Sequence, residues 1–402
     1  MSSLPFRVIP AALAVGLLAA QSTGVDAARA AAAPPAVDVQ RVPHGGLQPE
    51  VATGRDGVIH LVYFTGTPAA GDLFYVSSAD GGRTFSGPLR VNSQPGSAIA
   101  TGTIRGAQVA AGPEGRVHVA WNGSDAALPR GVANPKTQRA GSPMLYARSN
   151  AQRTAFEPQR NLTTHTFDID GGGSLAVDEA GTVYVAWHAN DVTGDPGEAS
   201  RRVWLARSTD GGASFAPEAA VWSEPTGACG CCGMRMLAGP GRLHLIYRSA
   251  TQQINRDVFA LLSTDRGQTF TGARLHEWDV NACPMTSMSL AASGKRVLAA
   301  WETDGQVFFK DLTGSPAAAP QSPAGGSPET RRKHPRLAFA QDGSLLMAWT
   351  EGTAWNKGGS LAWQLYDAAG QPSGPAGARP GVPTWSVGAV APRLAGGFVV
   401  FY

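Results

Sequence analysis

All four cysteines of the 402-residue chain fall between positions 229 and 283. Cys229, Cys231 and Cys232 lie in "GACGCCGMRM" (227–236) and Cys283 in "VNACPMTSM" (280–288), with Met234, Met236, Met285 and Met288 beside them. Thiolates and thioethers gathered in one place are soft ligands, suited to Cu(I) and less specifically to Zn(II). Cys229, Cys231, Cys232, Cys283, Met234 and Met285 therefore form a candidate metal set, for copper or alternatively zinc. The same four sulfurs can instead close two disulfides, with three possible pairings. A single catalytic thiol is a third chemistry. Residue types alone leave all three open, and methionine is also ordinary core filler.

Compartment bears on that choice. Arg7, an apolar run from Ile9 to Ala20 and the small residues "VDA" (25–27) or "ARA" (28–30) have the layout of a secretory signal peptide. The reading is a signal peptide at 1–30, a mature chain at 31–402, and a secreted or periplasmic protein, where disulfides persist. No later stretch approaches the ~20 apolar residues that span a bilayer, so no transmembrane segment is expected in the mature protein. A formal charge of +3 with 16% charged residues excludes a nucleic-acid-binding surface. Fifty glycines and 29 prolines exclude a helical protein.

The elements that must position these sulfurs are repeated. Short apolar strands ending in an aromatic recur as "VIHLVYF" (58–64), "RVHVAW" (116–121), "TVYVAW" (182–187), "RLHLIY" (242–247), "RVLAAW" (296–301), "SLLMAW" (344–349) and "GFVVFY" (397–402). Their last residues lie 48 to 66 positions apart. Most follow a glycine turn and an earlier apolar segment, so each unit is a β-hairpin, and that period is the signature of a propeller. The fold class is all-β, a β-propeller of four-stranded antiparallel blades, with seven blades favoured over six. The final hairpin lacks outer strands, and "VDVQRVP" (37–43) could return to supply one. The stretch 314–330 is too rich in proline and glycine for a blade core.

Third strands run into "SSADGGRTF" (77–85), "STDGGASF" (208–215) and "STDRGQTF" (263–270), with a worn copy in "LYARSNAQRTAF" (145–156). Ser-x-Asp-x-Gly-x-Thr-Phe resembles the Asp box, or BNR repeat, of the sialidase superfamily, and the hairpins extend the resemblance over nearly all of residues 37–402. The Asp carboxylate can accept from turn amides, and glycine supplies a positive φ. These boxes and the hairpin loops fall on one face of a propeller. Functional loops are expected on the other, which collects both cysteine loops.

The resemblance implies a clamp of arginines for a substrate carboxylate, a Tyr–Glu pair and an acidic Asp. Arg105, Arg235, Arg336 and Arg393 lie near starts of first strands. Arg105, Arg235, Arg336 and Glu302 are the candidate catalytic residues, with Glu351 or Asp191 as further carboxylates. The family's Phe/Tyr-Arg-Ile-Pro motif has its near match, "FRVIP" (6–10), inside the signal peptide. Of the histidines, His244 reads as core, and His165, His188 and His334 as solvated loop residues. Two functions lead, ahead of a third, a protein-interaction scaffold without small-molecule chemistry. One is a propeller binding a small-molecule, glycan or metal ligand opposite its Asp boxes, with the Cys/Met loops as disulfide staple or copper site. The other is an exo-sialidase-like glycoside hydrolase acting on sialic acid or another acidic sugar.

Overall fold

The alternating apolar residues of the second strands have two destinations, and this decides the architecture. In Ile59–Thr67, Ile59, Leu61 and Tyr63 pack with Ala391, Val399 and Phe401, while Val62 and Phe64 pack with Val109, Val119 and Trp121. Each sheet is therefore buried on both faces, which explains second strands that are continuously apolar rather than alternating. The computed structural model describes residues 35–402 and Met1, Ser2, Leu4 and Pro5. The expected signal peptide at 1–30 falls outside all but those four.

Seven sheets follow one another around a central axis. Their innermost strands are Leu47–Thr53, Gln108–Ala111, Ser174–Val177, Arg235–Gly239, Met288–Ser293, Arg332–Phe339 and Ala389–Pro392. Each contacts the next, and Ala389–Pro392 returns to Leu47–Thr53, so the ring closes. Seven hydrophobic clusters fill the seven interfaces between blades, one for each. The fold is the expected seven-bladed propeller, without an α-helix among the described residues.

Three blades depart from four strands, and blade 3 does so by gaining a fifth, Thr166–Phe167, paired with Val183–Asp191. Blade 7 pairs Ala389–Pro392 with Phe398–Phe401, and Val37–Gln40 supplies the third strand, running parallel to Phe398–Phe401. The N-terminal segment thus closes the ring as expected. Blade 5 also has three strands, ending at Gln306–Asp311. Where a fourth would lie, the proline-rich loop makes one bridge, Phe309 to Gln321, because proline cannot donate to a ladder.

The Asp boxes fold alike. Ser208 Oγ donates to Asp210 Oδ1 (2.7 Å), and Gly212 N–H donates to Ser208 Oγ (2.8 Å) at φ 80°. Ser214 donates its amide to Asp210 Oδ1 (2.9 Å) and its hydroxyl to Oδ2 (2.6 Å). The boxes at Asp80 and Asp265 repeat this pattern. In the worn copy, Asn150 Oδ1 accepts from Thr154 N–H (2.9 Å) in place of a carboxylate. The aromatics reach across to the preceding blade: Phe85 packs on Phe401, Phe156 on Tyr75 and Phe215 on Tyr146. The box is thus an inter-blade pin.

Hydroxyl and amide donors, led by Ser214, hold the Asp210 carboxyl far below its ordinary value of 3.8. A depressed folded pKa adds stability that is complete above the unfolded value and is lost as pH falls through the folded one. Asp210→Ala is expected to lower stability at pH 7 by about 0.5–1 kcal/mol, the scale of an exposed cap. The deficit should shrink below about pH 4. Thermal melts of both proteins at pH 7 and pH 3 check this; an equal deficit at both would remove the carboxylate from the account.

Candidate functional site

Strand register puts one inner-strand residue from each blade at the same level of the channel. Each faces the residue that precedes the aromatic of the second strand. The pairs are Glu50 with Val62, Gln108 with Ala120, Ser174 with Ala186 and Arg235 with Ile246. Ser289 with Ala300, Arg336 with Ala348 and Ala389 with Phe401 complete the turn. The ring therefore reads Glu, Gln, Ser, Arg, Ser, Arg, Ala. Ser174 and Ser289 turn sideways, accepting from Met236 N–H (2.8 Å) and Leu337 N–H (3.0 Å) of the next inner strand. The charged members remain for the channel.

Arg235 meets Glu50 through two contacts, Nη1 to Oε1 at 2.7 Å and Nη2 to Oε2 at 3.2 Å, and Nη1 also donates to Gln108 Oε1. Arg336 Nη2 stands 3.7 Å from Glu50 Oε2. Burial pushes the Arg336 guanidinium down to about 10, against the pull of Glu50. The Nε atoms of Arg235 and Arg336 are buried and have no hydrogen-bond partner. Below the ring lies a cavity of ≈ 300 Å³, lined by the inner strands of all seven blades.

Local backbone aims two of these side chains. Register shifts occur between Leu47 and Glu50 and between Lys333 and Arg336, and each bulge holds a proline, Pro49 or Pro335. The preceding residues, Gln48 (φ 49°) and His334 (φ 55°), adopt left-handed conformations uncommon outside glycine. A bulge re-aims the side chain that follows it, here Glu50 and Arg336.

The sequence-predicted residues divide. Arg235 and Arg336 come together at the mouth. Arg105 does not join them: Asp170 takes its Nη2, and its Nε and Nη1 donate to the carbonyls of Asp170 (2.7 Å) and Thr101 (2.8 Å). Arg393 follows its inner strand and binds Asp38 (2.6 Å) and the Gly81 carbonyl on the Asp-box side. Glu302 is buried behind the rim, accepting from His334 N–H (2.7 Å), with Lys333 Nζ at 3.3 Å. Burial pushes its carboxyl up. Glu351 is held by Arg332 and Trp349, and Asp191 by Thr193. Glu50, the carboxylate of the ring, was not among the candidates; its signal is a lone charge in "LQPEVAT", at the position Gln108, Arg235 and Arg336 occupy in their strands.

His188 and His334 are buried, not solvated as expected, whereas His165 is partly exposed beside Asp191. His188 donates from Nε2 to the Cys232 carbonyl (2.9 Å), and burial pushes its pKa down to about 4. His244 is core, as expected.

The cysteine loops meet at the same rim. Cys231 and Cys283 form a disulfide with Cα atoms 6.3 Å apart. Cys229 and Cys232 are buried free thiols, their Sγ atoms 2.6 Å apart. Cys229 Sγ also lies 3.6 Å from Cys231 Sγ. Of the methionines in the candidate set, Met285 packs on the cysteines, whereas Met234 turns into the core between blades 3 and 4. Burial alone would raise the Cys232 thiol, but donation from Cys229 and nearby Arg248 draw it down to about 7, and the shared proton drives Cys229 up. Gly171 makes the close packing possible: a Cβ there would stand 2.5 Å from the Cys232 carbonyl oxygen and 2.6 Å from that of Gly230.

The architecture has relatives among solved structures. A Hadza microbial sialidase superposes with TM-score 0.51 at 15% identity, over 76% of this chain and 63% of the sialidase. The α-L-arabinanase of Penicillium chrysogenum, complexed with arabinobiose, gives 0.52 at 13%, over 82% and 95%. The α-L-arabinofuranosidase of Fusarium graminearum gives 0.50 at 13%, over 79% and 92%. These likenesses show a shared propeller fold. The chain spans less than two thirds of the sialidase's length, and at these identities the likeness is one of fold. No protein-family model and no curated relative matches the chain. No helix among the described residues is long and apolar enough to cross a membrane.

The disulfide closes a loop across a sequence separation of 52. Replacing Cys231 and Cys283 by Ser is expected to cost about 2–4 kcal/mol. Non-reducing peptide mapping should return one 231–283 cross-linked pair, with Cys229 and Cys232 alkylated only after unfolding. A 229–283 or 232–283 link would reassign the staple.

Proposed function

We propose that the chain is an exported sialidase-like propeller that binds an acidic sugar at the channel mouth opposite its Asp boxes. The observation that carries this is the Arg235–Arg336 pair on Glu50, whose two Nε–H donors are buried and unspent. Two guanidiniums against one carboxylate leave the ring with an excess positive charge. Planar guanidinium forks match a carboxylate, and a desolvated setting strengthens such charge-assisted bonds. The neighbouring solved structures, described as a sialidase, an arabinanase and an arabinofuranosidase, support a carbohydrate as the ligand class. The leader at 1–30 supports export, into the periplasm or medium. The sulfur cluster on this rim is read as a staple, Cys231–Cys283, beside a soft-metal pair for which copper is preferred to zinc.

Hydrolysis of an acidic sugar is the second reading, supported by those same hydrolase neighbours. It needs two carboxyl groups flanking the bond, about 5–9.5 Å apart. Glu50 would be the ionised member, and Glu302, its proton retained by burial, the acid. Glu302 is enclosed by Lys333, His334 and Ser287, which places the weight on binding.

Saturation-transfer NMR with sialic acid, a uronic acid and neutral arabinobiose tests the proposal. Arg336→Ala should weaken the acidic sugars at least tenfold, about 1.4 kcal/mol, and leave arabinobiose unchanged. Glu50→Gln, which removes the competing carboxylate, should tighten them. Equal binding of acidic and neutral sugars, indifferent to both variants, would end this reading. Steady turnover of an aryl sialoside that Glu302→Gln abolishes would promote hydrolysis.

A further inference from the structure

The disulfide divides the sulfur cluster into two parts with different chemistry. Cys231 and Cys283 are joined, so neither sulfur is a thiolate ligand. Cys229 and Cys232 remain as a buried thiol pair spaced C-x-x-C, and Met285 is the thioether packed against them. Met285 holds φ 46°, uncommon outside glycine, and Lys333 Nζ donates to the Met285 carbonyl (3.3 Å) and to that of Pro284 (3.1 Å). The backbone is thereby tied down where the thioether meets the cysteines.

The surroundings are built for negative sulfur. Arg248, fully buried, donates from Nε to Thr286 Oγ1 (2.7 Å), and Thr286 Oγ1 donates in turn to Cys232 Sγ (3.3 Å). The other Arg248 donors end on the carbonyls of Arg256 and Glu302 and on Thr303 Oγ1 (3.3 Å), so none of its hydrogen bonds goes to a carboxylate. Arg256, also buried, gives Nη2 to Glu198 Oε2 (2.6 Å) and leaves Nε and Nη1 without partners. Arg256 has Glu198 as its counter-ion, but the buried Arg248 guanidinium beside neutral thiols would be poorly compensated. Beside thiolates it is not.

We propose that Cys229, Cys232 and Met285 form a Cu(I) site, with the Cys231–Cys283 bridge as its structural frame. Two thiolates and one Cu(I) carry a net charge of −1, which Arg248 offsets. Binding releases both thiol protons and changes no oxidation state. Zinc would need four ligands in a tetrahedron, and the site offers two thiolates and a thioether, a set that selects the softer ion. This inference rests on the soft-metal reading of the cluster and not on the sugar-binding reading of the mouth.

The test is Cu(I) itself, supplied anaerobically with ascorbate, which leaves the disulfide closed. Bound metal is measured by elemental analysis and affinity by competition with a Cu(I) chelator. The wild type should hold about one copper per chain and keep it against excess zinc. Cys229→Ser and Cys232→Ser should retain less than about a tenth, and Met285→Leu should bind about tenfold more weakly. The double Cys231→Ser, Cys283→Ser variant should melt earlier yet still load copper. Melting curves on every variant separate lost ligands from lost folding, and Met285→Leu preserves volume in case the cysteine variants do not fold. Copper lost from the Cys231/Cys283 variant but kept by Cys229→Ser would overturn the ligand set. A folded wild type whose Cys229 and Cys232 are alkylatable thiols, and which takes up no copper, would overturn the soft-metal reading. Sugar binding and its response to Arg336→Ala would stand in either case.

Discussion

Every blade has two apolar faces, and neither can be covered unless the sheet has a neighbour on each side. Seven sheets meet that demand only by closing, which makes the seam between blades 7 and 1 the contact on which the others depend. Val37–Gln40 supplies it by running parallel to Phe398–Phe401, so segments about 360 residues apart lie in one sheet. Val37 and Val39 pack on the cluster between blades 6 and 7, and Val42 on the cluster between blades 7 and 1. A parallel pairing has no tight turn to enforce it, so burial of these side chains sets its register. Phe85 then pins the Asp box of blade 1 onto Phe401 across the same seam.

Closure also fixes what the channel can contain. Inner strands converge on the axis, and alanine is their commonest residue. At the level of the ring two arginines and one glutamate stand among neutral neighbours. The bulges at Pro49 and Pro335 interrupt the ladders just before Glu50 and Arg336, which costs backbone pairing in both strands. That cost falls where the charged side chains are, as expected where local rules yield to a site.

The period of the hairpins, the Asp boxes, the third strands and the closing segment were legible in sequence because each is a local pattern. The site was legible only where residue type and strand position coincided. Arg235 and Arg336 could be found that way. Arg105 has the same type and a similar position, but Asp170 lies within its reach and takes it, a pairing 65 residues apart that no local spacing encodes. Glu50 escaped because its meaning depends on register with Val62, known only once the pleat is fixed. Met234 and Met285 follow cysteine loops at similar distance, yet Met234 lies next to the strand that begins at Arg235, where the pleat sends it to the core. Met285 sits on a left-handed turn and stays with the sulfurs.

The mouth and the sulfur cluster share a backbone. The loop holding Cys229, Cys231 and Cys232 continues directly through Gly233 and Met234 into Arg235, and the loop of Cys283 continues through Met285 to Ser287 and Met288 at the mouth. Gly233 N–H donates to the Thr286 carbonyl (2.8 Å), joining the two loops between the sulfurs and the channel. Thr286 itself bonds both Arg248 and Cys232. A change in the charge or coordination of Cys232 therefore acts on a residue whose carbonyl holds the backbone two positions before Arg235. Conversely, an anion drawn to Arg235 and Arg336 loads the strands that begin where the cysteine loops end. The Cys231–Cys283 bridge spans those same two loops, which limits how far either can shift.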